Sequence, residues 1–267
     1  MIDRIRVEPG HEPRLAERDP RDTLGLAGKD ESKEELAELV AKLEHLQRRL
    51  YAEAQRAVLL VLQGLDASGK DGVVRAVFEG VNPQGCHVAS FKAPTADELL
   101  HDYLWRVHLA CPERGDIGIF NRSHYEDVIA VRMLDLAPKE VWSRRPSHIR
   151  EFEHMLADEG TTILKVFLHV SKEQQAERFR ERIANPEKQW KFRKADLDVH
   201  ARYDEYLAAY ENVIAETSTA WAPWYIVPAD HNWVKAHAVA TLLVHTLERL
   251  DPRFPAPEPG VESLRID

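Results

Sequence analysis

A three-layer α/β/α domain built on a parallel sheet is the fold this sequence predicts, and three observations predict it. The run Val58–Leu62 is short and wholly apolar, the pattern of a strand buried on both faces. Further strand-like runs recur at Cys86–Phe91, Asp116–Phe120, Thr161–Val170 and Trp224–Val227, each separated from the next by helical periodicity. Strands separated in this way need right-handed crossovers, so they lie parallel with helices on both faces. The expectation is a five-stranded parallel sheet in one domain over residues 31–250, with an N-terminal arm at 1–30 and a C-terminal tail at 251–267.

Each element has its own local reason. Residues 1–30 are polar and punctuated by Glu8-Pro9-Gly10 and Asp19-Pro20, which reads as an extended arm lying on the domain. Ser32 followed by Glu35 has capping-box spacing, and Leu36, Leu39, Leu43, Leu46 and Leu50 then recur at three- and four-residue steps, predicting an amphipathic helix to about residue 54. Its leucine seam fits packing on its own domain or a short contact between subunits. After the first strand a helix runs through Val73, Val74, Val77 and Phe78, and Asn82-Pro83-Gln84-Gly85 makes a turn into the second strand. Thr95–Ala110 reads as a helix anchored by Leu99, Leu100, Leu104, Val107 and Leu109. Two helices separate the third and fourth strands. Ser171 then caps a charged helix through Ile183, Asn185-Pro186 breaks it, and helical regions follow over Ala195–Thr217 and Trp233–Leu250.

Composition narrows the function. At 267 residues and 30.6 kDa, with 44% hydrophobic residues, the chain can bury one large core. No apolar run approaches the ~20 residues of a membrane span and the N-terminus has no signal-peptide core, so a cytoplasmic protein without a membrane partner is expected. Cys86 and Cys111 lack metal-type spacing and read as reduced packing residues, and the thirteen histidines show no ligand pattern. A net charge of −9 argues against nucleic acid as the main partner. A polyanion would have to be met by a local basic patch.

Three places can supply phosphate chemistry. The first is Gly64-Leu65-Asp66-Ala67-Ser68-Gly69-Lys70, a glycine-bounded loop between a buried strand and a helix. Small residues there let backbone N–H groups converge on an anion at a helix N-terminus, and Lys70 adds a mobile charge for the phosphoryl group. Asp71 stands where such loops usually carry a magnesium-binding Ser or Thr, so Asp66 is the nearest alternative metal ligand. The second place is Asn121–Asp127, polar residues crowding the end of a buried parallel strand, where ligands of open α/β sheets bind. Arg122 can clamp a phosphate; Glu126 and Asp127 can orient magnesium, accept a proton from the attacking group, or serve as first-turn helix acids. The third is residues 177–194, where seven basic residues, among them Arg178, Arg182 and Lys188, outnumber three acids. That cluster reads either as a solvated helix or as a lid at about 171–195 over the phosphates.

These segments resemble the polyphosphate kinase 2 family, which transfers phosphate between inorganic polyphosphate and nucleotides. The resemblance lies in Gly64-Leu-Asp-Ala-Ser-Gly-Lys-Asp-Gly72, Gly80-Val-Asn-Pro-Gln-Gly-Cys86, Ser90-Phe-Lys92, His101-Asp-Tyr-Leu-Trp-Arg106, Gly118-Ile-Phe-Asn-Arg-Ser-His-Tyr-Glu-Asp127 and Trp190-Lys-Phe192, covering about residues 19 to 230. Many members carry Asp-Arg-Ser-Trp-Tyr-Asn-Arg where this chain has Asn121-Arg-Ser-His-Tyr-Glu-Asp127, a form similar to the class III subgroup that accepts both AMP and ADP. The resemblance implies a P-loop kinase fold, Mg2+ on Asp66 with Glu126 or Asp127, and transferring phosphates on Lys70 and Arg122, with Arg178 and Arg182 acting from the lid. It further implies a polyphosphate channel with basic side chains such as Arg132, Arg178 and Lys188. The nucleotide would lie by Lys92, Pro94, Asn121 and Arg122. The implied partners are inorganic polyphosphate and adenine nucleotides, with guanine nucleotides open, in a homo-oligomer, dimer or tetramer. Two alternatives stand beside this: a nucleoside monophosphate kinase of the thymidylate type, and a binding module without turnover, motivated by the missing Ser/Thr at 71 and Asp at 121.

Overall fold

The computed structural model describes residues 1–266. Its sheet has six strands in the order β1-β6-β5-β2-β4-β3: β1 Arg6–Val7, β2 Ala57–Gln63, β3 Cys86–Ser90, β4 Ile117–Asn121, β5 Thr161–His169 and β6 Trp224–Pro228. The five strands expected from sequence are all present and mutually parallel. The sixth is a correction. Arg6 and Val7 of the N-terminal arm pair antiparallel with Tyr225 and Trp224, because the β6 edge would otherwise expose unpaired backbone groups. Ile5, Val7, Leu15 and Leu24 bury their side chains there, so the arm is part of the core.

Every residue of β2 is buried, as a central strand flanked by β5 and β4 requires. On one face the Lys29–Glu53 helix packs against the closing Asn232–Leu250 helix, with Leu43, Leu46 and Leu50 in the core. The leucine seam therefore serves its own domain. The capping box at Ser32 does not form: the helix starts a turn earlier after Gly28, with Asp30 and Glu31 in its first turn, where acids complement the helix dipole. Ser32 is buried inside it, and Glu35 instead meets His237 at 3.0 Å.

Two other helices differ from expectation for local reasons. Thr95 and Glu98 exchange side-chain and backbone hydrogen bonds and close a single 3-10 turn at Glu98–Leu100. The chain then extends at His101, and Asp102 accepts from the Leu104 amide, so only Trp105–Leu109 continues as helix and Leu100 is 81% exposed. The Ala195–Thr217 region is two helices, Ala195–Ala201 and Tyr203–Thr217, parted at Arg202, whose guanidinium donates to the Met133 carbonyl and to Glu205. Ser171 does cap Lys172–Ala184, accepting from the Gln174 amide. No helix among the described residues is long and apolar enough to cross a membrane.

A buried charge pair braces the sheet behind the end of β4. Lys165 donates to Glu153 at 2.6 Å and to the Thr217 carbonyl at 2.7 Å, Tyr125 donates to Glu153 at 2.8 Å, and the His124 ring lies 3.3 Å from the same carboxylate. Burial alone would raise the Glu153 pKa, but Lys165 and His124 outweigh it and hold the carboxyl below its usual range. A carboxyl with a depressed folded-state pKa contributes stability above its unfolded pKa and loses it as pH falls through the folded value. Glu153→Ala, which strands the Lys165 ammonium, is expected to cost about 3–5 kcal/mol in urea unfolding at pH 7. A loss under about 1 kcal/mol contradicts this bracing role.

Candidate active site

The site forms where β2 and β4 end side by side. β2 delivers the chain into Gly64–Lys70, and backbone constraints set that loop's shape. Gly64 has φ +145, and a Cβ there would meet the Leu168 carbonyl at 2.7 Å. Ala67 and Gly69 are left-handed, with φ 64 and 98. Helix Lys70–Val77 starts directly after, and Val73 is the first residue to donate within it, to Gly69 at 3.1 Å. The amides of Lys70, Asp71 and Gly72 thus have no helical acceptor, leaving donors and the positive end of the helix dipole at one point.

Lys70 is buried and folds back over its own loop, donating to the Gly64 carbonyl at 2.7 Å and the Leu65 carbonyl at 3.3 Å. Burial, and after it the Arg122 charge, push its pKa down to about 8. Arg122 leaves β4 in a left-handed conformation, φ 62, with its amide bonded to the Leu62 carbonyl at 3.0 Å. That turn sends its guanidinium onto the Asp66 carboxylate. Burial opposes the Arg122 charge, but Asp66 and Glu126 outweigh it and raise the pKa above the ordinary arginine value. Burial also raises Glu126, against the pull of Arg122 and Lys70. Asp66, Lys70, Arg122 and Glu126 are therefore one electrostatic unit.

Other residues named from sequence sit differently. Asp127 pairs instead with Arg106 at 3.3 Å, and its carbonyl accepts from Arg145; burial raises its pKa against the Arg106 charge. Arg178 lies on the carbonyl side of the loop, donating to Ala67 at 2.8 Å and Ser68 at 3.2 Å, and to Ala229 and Asp230 at 2.7 Å each. Arg182 lies over the Phe179 ring at 5.7 Å and Arg132 over Trp142 at 5.3 Å, while Lys188, Lys92 and Pro94 are exposed. Asp66, Glu126 and Asp127 do not gather into a three-ligand cluster, and no such cluster occurs among the described residues.

The two departures from the usual loop pattern are one feature. The Asn121 amide donates to Asp71 at 2.7 Å, and Lys191, from the basic segment, approaches the other Asp71 oxygen at 3.4 Å. Asn121 and Lys191 overcome the opposing effect of burial and hold Asp71 below its usual range. A carboxylate at 121 could not make that contact without bringing two like charges together.

Sequence reasoning missed three residues at the site. Gln175 donates to the Asp66 carbonyl at 3.0 Å; Arg106 ties Asp127 to the Lys92 carbonyl, which accepts at 2.9 Å. Lys235, in the closing helix, donates to the Ser68 carbonyl at 2.8 Å. The last carried only a weak signal, a lysine between Val234 and Ala236 near the start of an apolar helical run.

A parallel sheet, a glycine-bounded anion loop with its lysine, and an arginine turned toward it from the neighbouring strand define a P-loop phosphotransferase. A model of the polyphosphate kinase 2 family matches residues 27–255, and the chain belongs to that family. It is 54% identical to the AMP/ADP-polyphosphate phosphotransferase of Meiothermus ruber over 99% of both chains. It is 46% identical to the ADP-polyphosphate phosphotransferase of Rhodopseudomonas palustris, covering 86% of this chain and 85% of that one. Among solved structures, polyphosphate kinase 2 from Arthrobacter aurescens superposes with a TM-score of 0.93 at 39% identity, covering 98% of this chain and 93% of that one.

Lys70→Ala deletes charge stabilisation and little core, so it is expected to leave a folded protein and lower kcat by about 10²–10³. A loss under about tenfold contradicts the role given to Lys70. Because the Lys70 charge is lost as pH rises through about 8, tripolyphosphate affinity should fall more steeply above that pH in the wild type than in Lys70→Ala, as measured by calorimetry.

Proposed function

We propose that the protein transfers the terminal phosphoryl group of inorganic polyphosphate to AMP and ADP, forming ADP and ATP, and that it also runs in reverse. The observation that carries this reading is the Lys70–Arg122–Asp66 unit at the strand ends, in a chain that matches a relative named for both acceptors along its whole length.

Phosphoryl transfer asks little covalent chemistry of a protein; it needs reactants in line and the charge on the equatorial oxygens neutralised. Lys70 is set to do this, because its hydrogen bonds to Gly64 and Leu65 are ones a bound phosphate can replace. Arg122 presents a planar fork to the same point, one arm of it already oriented by Asp66. The attacking group is a nucleotide phosphate oxygen, ionised at neutral pH, so no general base is required. The nucleotide is placed by Lys92, Pro94 and Asn121, beyond the ends of β3 and β4.

Phosphotransferases of this family use a divalent metal, and the donor set here fits Mg2+. That ion takes one or two carboxylates and completes its shell with water and phosphate oxygens. Asp66 lies close enough to Glu126 to act on its carboxyl, so these two are the carboxylates that would hold the ion. When bound, the metal neutralises charge on the transferring phosphate. Residues 171–195 act as the lid: Lys191 already reaches Asp71, and Trp190, 76% exposed, is the surface that packs on closure. Arg182 and Lys188 extend the basic lining outward along the polyphosphate chain. Arg178, although within that segment, supports the loop from its carbonyl side.

Incubated with long-chain polyphosphate, Mg2+ and either AMP or ADP, the protein should form ADP and then ATP, followed by chromatography of the nucleotides. Turnover only with ATP and a nucleoside monophosphate would instead support the thymidylate-type alternative. Tight polyphosphate binding without transfer would support the binding module.

A further inference from the structure

Beneath the phosphate loop lies a lysine that this chemistry leaves unused. Lys235 is 1% exposed on the Asn232–Leu250 helix, between Val234 and Ala236, which are also buried. Burying an ammonium costs several kcal/mol unless its protons are accepted. Its acceptors are the carbonyls of Ser68 at 2.8 Å and Ala229 at 3.3 Å. The fit is tight: a Cβ on Gly69 would lie 2.2 Å from Lys235 Nζ, so the side-chain space of that glycine is occupied by the ammonium. Arg178 grips the same carbonyls from the other side. The charged groups facing Lys235 are Arg178, Lys70 and Asp230, and Asp230 is itself engaged by Ser171 and Arg21. Burial first, and then Arg178, push the Lys235 pKa down to about 7.

A trans peptide points its C=O and N–H in opposite directions. The Ser68 carbonyl and the Gly69 amide belong to one such peptide, so whatever draws the carbonyl down turns the amide up toward the anion site. We propose that Lys235 is a positioning residue for phosphate transfer, fixing the Ser68–Gly69 peptide so that the Gly69 N–H faces the bound phosphate. Lys235 does not itself touch the phosphate. The inference rests on the phosphotransferase reading above.

An amide held in place binds the donor phosphate alike in ground and transition states, so its loss raises KM and spares kcat. Full-length Lys235→Met, checked for cooperative thermal unfolding, is expected to raise KM for polyphosphate about tenfold or more, with kcat for ATP formation within about threefold of wild type. A purely structural lysine would lower the melting temperature and leave KM unchanged, and a KM within about threefold of wild type in the folded variant overturns the proposal. If Lys235→Met does not fold, Lys235→Gln decides: it stays polar but falls one bond short of the Ser68 carbonyl, so the same rise in KM is expected and an unchanged KM overturns the proposal. A wild-type protein inactive with ADP and polyphosphate overturns both readings. An active wild type with unchanged variants overturns only the role of Lys235.

Discussion

A loop that turns backbone N–H groups toward one point must send the carbonyls of the same peptides elsewhere, and in this protein most of them go to buried or half-buried cations. Lys70 takes Gly64 and Leu65, Arg178 takes Ala67 and Ser68, and Lys235 takes Ser68 again. Three positive charges thus surround seven residues of backbone. The arrangement satisfies acceptors that would be costly to bury unpaired. It also concentrates positive potential in a chain whose net charge is −9. Burial first, and then the neighbouring cations, push the two lysines down, one to about 8 and the other to about 7. A bound phosphate chain relieves that repulsion, which is how an acidic protein can hold a polyanion in one cleft while its remaining surface repels it.

The opposite wall depends on a strained turn. A non-glycine residue in the left-handed region costs roughly 1–2 kcal/mol, and Arg122 adopts it where β4 gives way to the Glu126–Met133 helix. Its amide bond to Leu62 and its ion pair with Asp66 hold it from the front. From behind, His124 and Tyr125 are locked to the Glu153–Lys165 pair within the sheet. The buried pair therefore does more than fill the core: it sits directly under the residues that aim Arg122 and Glu126.

Much of this was legible in the sequence, because the parallel strands are continuous apolar runs and the phosphate loop has fixed spacing. The five parallel strands and the placement of Lys70 and Arg122 follow from those two signals. What was not legible depends on partners far away in sequence. Arg6–Val7 is too short and too polar to read as a strand until β6 stands beside it. Ser32 has capping-box spacing, but local spacing cannot show that Glu35 is drawn toward His237, about two hundred residues further along. The Thr95–Ala110 pattern satisfies helical periodicity, yet Thr95 and Asp102 bond to nearby backbone and end the helix twice, the competition that makes such residues turn formers. Asp71 and Asn121 looked like two separate losses and proved to be one hydrogen bond. Lys235 carried no motif at all.

We propose that the cradle formed by Gly64–Lys70 and Arg122 receives the transferring phosphate. A crystal structure with a non-hydrolysable polyphosphate analogue tests it most directly. The terminal phosphate should lie against Arg122, with Lys70 Nζ moved from the Gly64 carbonyl onto one of its oxygens and the adjoining phosphate within hydrogen-bonding distance of the Gly69 and Lys70 amides. A well-ordered chain bound elsewhere, with Lys70 still on that carbonyl, would contradict the account.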